Sequence, residues 1–142
     1  MITFNVPGEP VAKGRPRATT INGQASMYTP KKTANYENLV ALAAQQMMVS
    51  TEHRMLEGPL GLSFTATFSI PKSWTKKRLL DHSIYPESVT KKPDIDNLLK
   101  ALGDGMNGVV YADDSQIAGL TDCCKVYGAK PGVTVKIWEL AK

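Results

Sequence analysis

Residues 60–70 read LGLSFTATFSI, and this stretch decides the fold. Apolar side chains at Leu60, Leu62, Phe64 and every second position through Ile70 alternate with Gly, Ser and Thr. Such a period of two residues places the apolar side chains on one face of a β-strand. The segment therefore predicts a long strand with one buried face, which a second layer must cover.

Two helices are predicted on either side of this strand. In residues 32–50 apolar side chains recur at the spacing of one helix face; they are Tyr36, Leu39, Val40, Ala43 and Met47. A second helix should begin near Asp96 or Asn97, either of which could cap it. Its buried stripe would include Leu98, Leu102 and Met106. These helices are candidates for the covering layer.

The remaining segments complete the predicted architecture. Short strands are expected over 2–6, 115–127 and 133–139, the last two separated by a turn over 128–132. Basic loops are expected over about 8–31 and 71–93, and the Asn22-Gly23 pair in the first is typical of a hairpin turn. The fold class is therefore α+β, a two-layer sandwich of a mixed β-sheet with two main helices packed on it.

Length and composition favour one domain over residues 1–142, because 142 residues suffice for one core but not for two domains of ordinary size. The N-terminus lacks a signal-peptide pattern, and no apolar run is long enough to span a membrane. The only cysteines, Cys123 and Cys124, are adjacent, a spacing that fits free thiols in a reducing compartment. A cytoplasmic protein without a membrane partner is expected.

Charge is unevenly distributed along this chain of net charge +4. Six of the thirteen acids lie between positions 94 and 122, where Lys100 is the only base, whereas bases outnumber acids before position 94. This division suggests one part that holds a polyanion and another that acts on it.

The acidic part contains two motifs suited to a magnesium site. In an extended segment, Asp94 and Asp96 would project from the same face, and Lys100 lies one helical turn beyond Asp96. A third carboxylate would come from Asp113 or Asp114. Magnesium prefers carboxylates together with water and substrate phosphate, so three Asp side chains are sufficient protein ligands. Metal ions and a nearby cation can promote phosphodiester hydrolysis.

Each motif also has a plain structural explanation. The Asp94–Asp96 pair could supply a helix cap and a solvated neighbour, and the Asp113–Asp114 pair could form a turn. Taken singly, each of these explanations is the favoured one. The occurrence of both acidic motifs together, with Lys100 at a fixed spacing from Asp96, instead favours a catalytic site.

The full pattern resembles a known family. Residues 92–102, KPDIDNLLKAL, followed by residues 107–117, NGVVYADDSQI, resemble the RusA family of Holliday-junction resolvases, which is common in phages and prophages. The segment GEPVAKGRPRA at 8–18, the MYTP at 27–30 and the NYE at 35–37 also resemble that family. The resemblance covers nearly the whole chain.

The resemblance implies a homodimeric endodeoxyribonuclease that makes paired symmetric nicks in four-way DNA junctions, encoded by a phage or bacterium and acting in recombination and repair. It implies Mg²⁺, with Mn²⁺ as a substitute, bound by Asp94, Asp96 and Asp114, and an essential Lys100. Asp113 is a further candidate as a ligand or a supporting residue. The sequence Gly103-Asp104-Gly105 departs from the family's helix-favouring D-A-L, since each glycine weakens a helix by about 1 kcal/mol.

Two sets of basic residues are candidates for phosphate contacts. The candidate DNA-binding residues are Lys13, Arg15, Arg17, Lys72, Lys76, Lys77, Arg78, Lys91 and Lys92. Trp74 and Tyr85 are candidates for stacking on an exposed base, or for anchoring their loop. Two alternatives remain open: a non-cleaving module that binds branched DNA, and a metal nuclease that acts on flaps or RNA.

Overall fold

A computed structural model describes residues 1–13, 17–28 and 31–141 of the chain. The strands are β1 (Ile2–Pro7), β2 (Arg17–Ile21), β3 (Gln24–Tyr28), β4 (Leu60–Ser69), β5 (Ile117–Leu120), β6 (Cys124–Gly128) and β7 (Gly132–Glu139). The helices are α1 (Lys31–Ser50), α2 (Lys76–Ile84) and α3 (Ile95–Met106), with one 3-10 turn, η1 (Asp114–Gln116).

The strand β4 forms the centre of the main sheet, as its alternating pattern predicts. It pairs with β7 in antiparallel orientation along one edge, and β1 pairs with the far edge of β7. Along its other edge β4 pairs in parallel with β5 and then with β6. The sheet is therefore mixed. Its alternate side chains from Leu60 to Phe68 are buried in the core, which confirms the predicted face.

The helices α1 and α3 form the second layer and confirm the α+β sandwich. Tyr36, Val40 and Ala44 of α1 are buried, and they contribute to one core with the buried faces of β1, β4 and β7. The predicted stripe of Leu98, Leu102 and Met106 in α3 is also buried. On the opposite side of the sheet, Trp138 covers Gly61, where a Cβ atom would lie 2.5 Å from the indole ring.

The single strand predicted over 115–127 is wrong in detail. Its first residues form η1, and the remainder is divided into β5 and β6 by residues 121–123. Asp122 has a left-handed φ of 52°, a conformation that Asp tolerates better than most residues. Both strands nevertheless run parallel to β4, so the break displaces the register without changing the direction of the chain.

The two predicted basic loops contain regular structure. The first includes the hairpin of β2 and β3, whose turn is at Asn22-Gly23 as predicted, with φ angles of 51° and 78°. The second includes α2, capped by the Thr75 hydroxyl, which accepts a hydrogen bond from the Arg78 amide at 3.2 Å. No residue of α2 is buried, so the helix carries no buried apolar stripe that would have predicted it.

The helix α3 includes Gly103 and Gly105, and the second of these glycines lies where α3 packs against α1. A Cβ atom on Gly105 would lie 2.7 Å from the Val40 Cβ and 3.0 Å from the Glu37 carbonyl oxygen of α1. The glycine therefore allows the two helices to approach closely.

Across residues 1–13, 17–28 and 31–141, no helix combines the length and apolar character needed to cross a bilayer. Both cysteines are free.

Candidate active site

The first acid of the predicted pair lies at the start of α3. The helix begins at Ile95, close to the predicted start, but its N-cap is Asp94 rather than Asp96 or Asn97, and Asp96 lies in the first turn. The expectation that both carboxylates leave an extended segment on one face is therefore wrong. Asp94 makes no side-chain cap hydrogen bond, although Asp usually does so at this position. Its exposed carboxylate is not used for helix capping.

The segment that leads to Asp94 is held by a lysine from the sheet. Lys125, in β6, donates hydrogen bonds from Nζ to the carbonyl oxygens of Lys91 and Pro93, each at 2.8 Å. These two bonds attach the backbone immediately before Asp94 to the sheet. A charged donor makes such bonds stronger than neutral ones. Lys125 thereby links β6 to the segment that precedes α3.

A cleft of about 510 Å³ brings the other predicted residues together. It is lined by Asp96, Leu99, Lys100, Gly103, Asp114 and residues 117–120. Asp96 and Lys100 lie one turn apart on α3, and Asp114 enters from η1. Asp94 does not line this cleft. Two of the three predicted acids and the predicted lysine therefore share one concave surface.

Lys100 pairs with acids other than the one that its spacing suggests. Its Nζ lies 3.0 Å from Asp104 Oδ1 and 3.3 Å from Asp114 Oδ2. Neither Asp94 nor Asp96 is a salt-bridge partner of Lys100, although Asp96 and Lys100 line the same cleft. The hydrogen bond to Asp104 raises the pKa of Lys100; burial opposes this, and Asp114 adds to it. Lys100 is therefore a cation at physiological pH.

The two acids of the Asp113–Asp114 pair have different surroundings. The Asp113 carboxylate accepts a hydrogen bond from the Ser115 amide at 3.1 Å and caps η1. Hydrogen bonds from Ser115 lower the pKa of Asp113. The Asp114 side chain is only 27% exposed and faces the cleft. Asp114 is thus the acid available to the cleft, and Asp113 shapes the turn.

Gln116 fastens this turn to the rest of the protein. Its Oε1 accepts hydrogen bonds from the amides of Ala112 and Asp113, at 3.1 and 3.2 Å. Its Nε2 donates to the carbonyl oxygen of Gly58 at 3.1 Å and more weakly to that of Leu56. One side chain therefore connects the backbone on either side of Asp114 to the segment that precedes β4.

The donor set is suitable for a hard divalent cation. Over residues 1–13, 17–28 and 31–141, no three His, Cys, Asp or Glu side chains already converge as a closed metal-binding group. Asp96 and Asp114 nevertheless present carboxylates to one open cleft. Magnesium is commonly held by one or two carboxylates with water and substrate phosphate. The two carboxylates therefore suit a cation site in which water and substrate phosphate would supply the remaining ligands.

The second set of candidate DNA-binding residues is largely exposed. Lys72, Lys76, Lys77, Lys91 and Lys92 have exposed side chains on α2 and its flanking segments, and Lys91 Nζ lies 5.9 Å from the centroid of the Tyr127 ring. Arg78 is different, because it binds both oxygens of Glu87, at 3.0 and 2.6 Å, and lies 4.2 Å over the Trp74 ring. Trp74 is buried against Tyr127 and anchors its segment, whereas Tyr85 is 83% exposed.

The first set is only partly described. Arg15 and the side chain of Arg17 lie outside the described residues. Lys13 is described, and its Nζ lies 2.5 Å from Glu37 Oε1 and 3.2 Å from Asp104 Oδ2. Its assignment as a phosphate contact stays a prediction, and these ion pairs give it a second possible role.

Comparison with known proteins identifies the family to which this chain belongs. The sequence profile of the Endodeoxyribonuclease RusA family matches residues 7–138. The chain belongs to the RusA family. The match spans both acidic motifs, the cleft and the elements from β2 to β7, of which only the last residue, Glu139, lies beyond it. RusA proteins form a family of DNA endonucleases, and this chain is one of its members.

Two relatives cover nearly the same length as this RusA chain. The "Uncharacterized protein YqaN" of Bacillus subtilis strain 168 is 36% identical to it, over 99% of this chain and 97% of the relative. The "Crossover junction endodeoxyribonuclease rusA" of Lactococcus phage r1t is 29% identical, over 96% of this chain and 95% of the phage protein. The similarity therefore extends over nearly the whole length of this chain and of each relative.

Sequence reasoning missed two residues that support this RusA site. Lys125 contacts backbone that lies 32 and 34 residues earlier, and Gln116 contacts backbone 58 residues earlier. Neither contact leaves a local pattern. Gln116 does stand at the third position after Asp113, where a Gln can complete a capping box, and this signal could have identified it.

Proposed function

We propose that this chain is a divalent-metal-dependent endonuclease that resolves four-way DNA junctions by paired symmetric nicks, in recombination and repair. The observation that carries the proposal is the convergence of Asp96, Lys100 and Asp114 on one cleft of a RusA-family domain. The name of the phage relative supports the junction as substrate. Flaps and RNA are the alternative substrates.

In this proposal Asp94, Asp96 and Asp114 hold Mg²⁺, for which Mn²⁺ can substitute. When bound, the cation supplies an activated water and stabilisation of charge at the scissile phosphate. Asp96 from α3 and Asp114 from η1 contribute hard oxygen donors to the same cleft. Asp94 joins them if substrate and cation draw the start of α3 inward, because its carboxylate has no capping bond to lose.

Lys100 binds the scissile phosphate and balances the negative charge that develops on it. Its ammonium lies 3.3 Å from Asp114 Oδ2 and is raised in pKa, so it stays charged beside the reacting phosphate. A preorganised cation at such a position typically contributes several kcal/mol to transition-state stabilisation. Gln116 and Asp113 hold the turn that carries Asp114.

The exposed lysines on and around α2 are proposed to bind DNA phosphates. Lys72, Lys76, Lys77, Lys91 and Lys92 lie on the segment that leads into Asp94, which would place the phosphate contacts beside the cleft. Arg78 is assigned a structural role because Glu87 neutralises it. Paired nicks across a symmetric junction require two active sites, so a homodimer with one site in each subunit is proposed.

The deciding experiment is cleavage of a labelled synthetic four-way junction beside a linear duplex, a flap and an RNA duplex, with Mg²⁺ and with EDTA. Wild-type protein should nick the junction symmetrically only with the metal. Asp114→Asn should lose the nicks, whereas the matched control Asp122→Asn, an exposed acid outside the cleft, should keep them. Junction binding without nicks would instead indicate a non-cleaving module, and cutting of the flap or RNA alone would replace the substrate.

The dimer has a separate test. Wild-type and Asp114→Asn subunits are mixed, and the labelled junction is followed on each strand. Two sites in a dimer predict junctions nicked on one strand only, in proportion to the mixed dimers. A product pattern that is unchanged apart from dilution would contradict the dimer.

A further inference from the structure

Five side chains of alternating charge form a continuous series from α1 to the cleft. They are Glu37, Lys13, Asp104, Lys100 and Asp114. Asp104 is the central member, since its Oδ2 lies 3.2 Å from Lys13 Nζ and its Oδ1 lies 3.0 Å from Lys100 Nζ. One carboxylate therefore holds two ammonium groups, one on each oxygen, and links the N-terminal segment to the candidate active site.

The three residues at the α1 end of the series are largely shielded from solvent. Lys13 and Glu37 side chains are 20% exposed and that of Asp104 is 18% exposed, whereas Lys100 is 54% exposed. Partly buried ion pairs are screened less by salt than exposed pairs are. The pairs made by Lys13 thus form the shielded part of the series, and Lys100 is its more exposed cation.

Backbone packing brings these side chains together. The Lys13 amide donates to the Asn97 carbonyl at 3.0 Å, which attaches the N-terminal segment to the first turn of α3. The absent Cβ at Gly105 lets α1 approach α3, and the Glu37 carbonyl oxygen would lie only 3.0 Å from such an atom. Lys13 is therefore enclosed between two helices, with an acid on each.

A lysine in this position has a clear effect on Asp104. Without its ammonium, Asp104 and Glu37 would remain close together with no cation between them, and like charges at short range repel. Asp104 would then turn away from Glu37 and from the geometry that holds Lys100. Lys100 has a long, flexible side chain whose ordering costs entropy, so it depends on such a partner.

We propose that Lys13 and Asp104 are positioning residues for Lys100, and that Lys13 acts through Asp104 rather than by binding DNA phosphate. This inference rests on the proposed function of the cleft. It extends the site to the N-terminal basic segment, whose first lysine fixes the geometry of the cleft.

The test compares Lys13→Met, Lys13→Arg and the matched control Lys130→Met, an exposed lysine in the turn before β7. Junction affinity is measured in EDTA and the cleavage rate at saturating protein. Lys13→Met should lower the rate by about tenfold to a hundredfold, as expected for a displaced active-site group, with affinity changed less than about twofold. Lys13→Arg should restore most of the rate, and Lys130→Met should match wild type.

A phosphate contact predicts the opposite division. Lys13→Met would then weaken affinity, lower the slope of log affinity against log salt by about 0.9 and leave the saturated rate unchanged. That result would overturn the inference. Thermal melting of each variant establishes that it is folded, and Lys13→Gln serves if the Met variant is not.

The route through Asp104 is tested by a double-mutant cycle. In an Asp104→Asn background, Lys13→Met should change the cleavage rate less than about twofold, because the residue it acts through is already lost. Independent, multiplying losses would overturn the proposed route. A wild type that cuts no substrate would refute the proposed function, whereas failure of the positioning role appears only in the Lys13 variants of an active protein.

Discussion

Lys100 and Asp114 form an ion pair at the cleft, with Nζ 3.3 Å from Oδ2, although they are 14 positions apart in the sequence and the whole C-terminal half of α3 lies between them. The pair joins a helix to the turn η1. Under the proposed function, this cation would face the scissile phosphate and this carboxylate the metal ion.

Replacement of Lys100 by Met should reduce junction cleavage by about 100-fold to 1,000-fold, as the loss of one charged transition-state contact does. Junction affinity in EDTA should change little, because the exposed lysines on and around α2 are proposed to supply the other phosphate contacts. Single-turnover cleavage and binding assays check both effects. Lys136→Met, an exposed lysine of β7, is the control. A variant that binds more weakly but cuts normally at saturation would reduce Lys100 to a binding residue.

The substitution Asp94→Asn should abolish cleavage and leave junction affinity intact or higher, because it removes repulsion toward phosphate. Asp94 makes no cap hydrogen bond, so folding stability should change little. Cleavage, affinity in EDTA and urea unfolding are measured together, with Asp122→Asn as control. Equal losses of binding, cleavage and stability would mean that the acid is structural.

The glycines of α3 should respond differently to alanine. Gly105→Ala should lower the free energy of unfolding by about 1–3 kcal/mol, because the new Cβ meets Val40 and the α1 backbone at 3.0 Å or less. Gly103→Ala meets only ordinary contacts from 3.5 Å outward, so helix propensity should raise stability by up to about 1 kcal/mol. Urea denaturation of the two variants compares them. Equal effects would contradict the close helix contact.

Gln116→Leu should release the turn that carries Asp114. The substitution removes two acceptor contacts to the amides of Ala112 and Asp113 and the donors to Leu56 and Gly58. A loss of about 1–3 kcal/mol in unfolding free energy is expected for such unpaired groups. Cleavage should fall by at least tenfold in protein shown to be folded, because the carboxylate is displaced. Normal cleavage by a variant of reduced stability would show that the hydrogen bonds of Gln116 stabilise the fold without affecting the reaction.

The substitution Tyr111→Phe tests the hydrogen bond between the Tyr111 side chain and the backbone of α3. The buried Tyr111 hydroxyl donates to the Gly103 carbonyl at 2.7 Å, so its loss should cost about 1–2 kcal/mol. Burial, with the charges of Asp114, Asp104 and Asp113, raises the pKa of Tyr111 above its ordinary 10.0. The folded state therefore keeps a proton that the unfolded state loses, and stability should fall as pH rises above about 10.

The Phe variant should lose part of this alkaline dependence. Some must remain, because burial also raises the pKa of Tyr36 to about 12. Urea midpoints between pH 8 and 11 measure the slope. Tyr85→Phe, at a side chain that is 83% exposed, should match wild type. An undiminished slope in Tyr111→Phe would show that other groups cause it.

The sequence predicted elements whose pattern repeats locally. The alternation over 60–70 specified β4 and its buried face, the spacing of apolar residues specified α1, and Asn22-Gly23 specified the hairpin turn. The segment of α2 was predicted as a loop because none of its residues is buried, and a helix without a buried stripe has no signal in hydrophobic periodicity. The capping residue of α3 was assigned wrongly because Asp94 and Asp96 are equally good caps by residue type.

By itself, the sequence determined the layers, the RusA resemblance and the identity of the acids and the lysine of the candidate site. Tertiary structure alone decided the partners: Asp104 and Asp114 for Lys100, Lys13 for Asp104, and backbone carbonyls for Lys125 and Gln116. The physical reason is range. Periodicity and turn chemistry act over a few residues, whereas these ion pairs and hydrogen bonds join segments that meet only after the helices pack on the sheet.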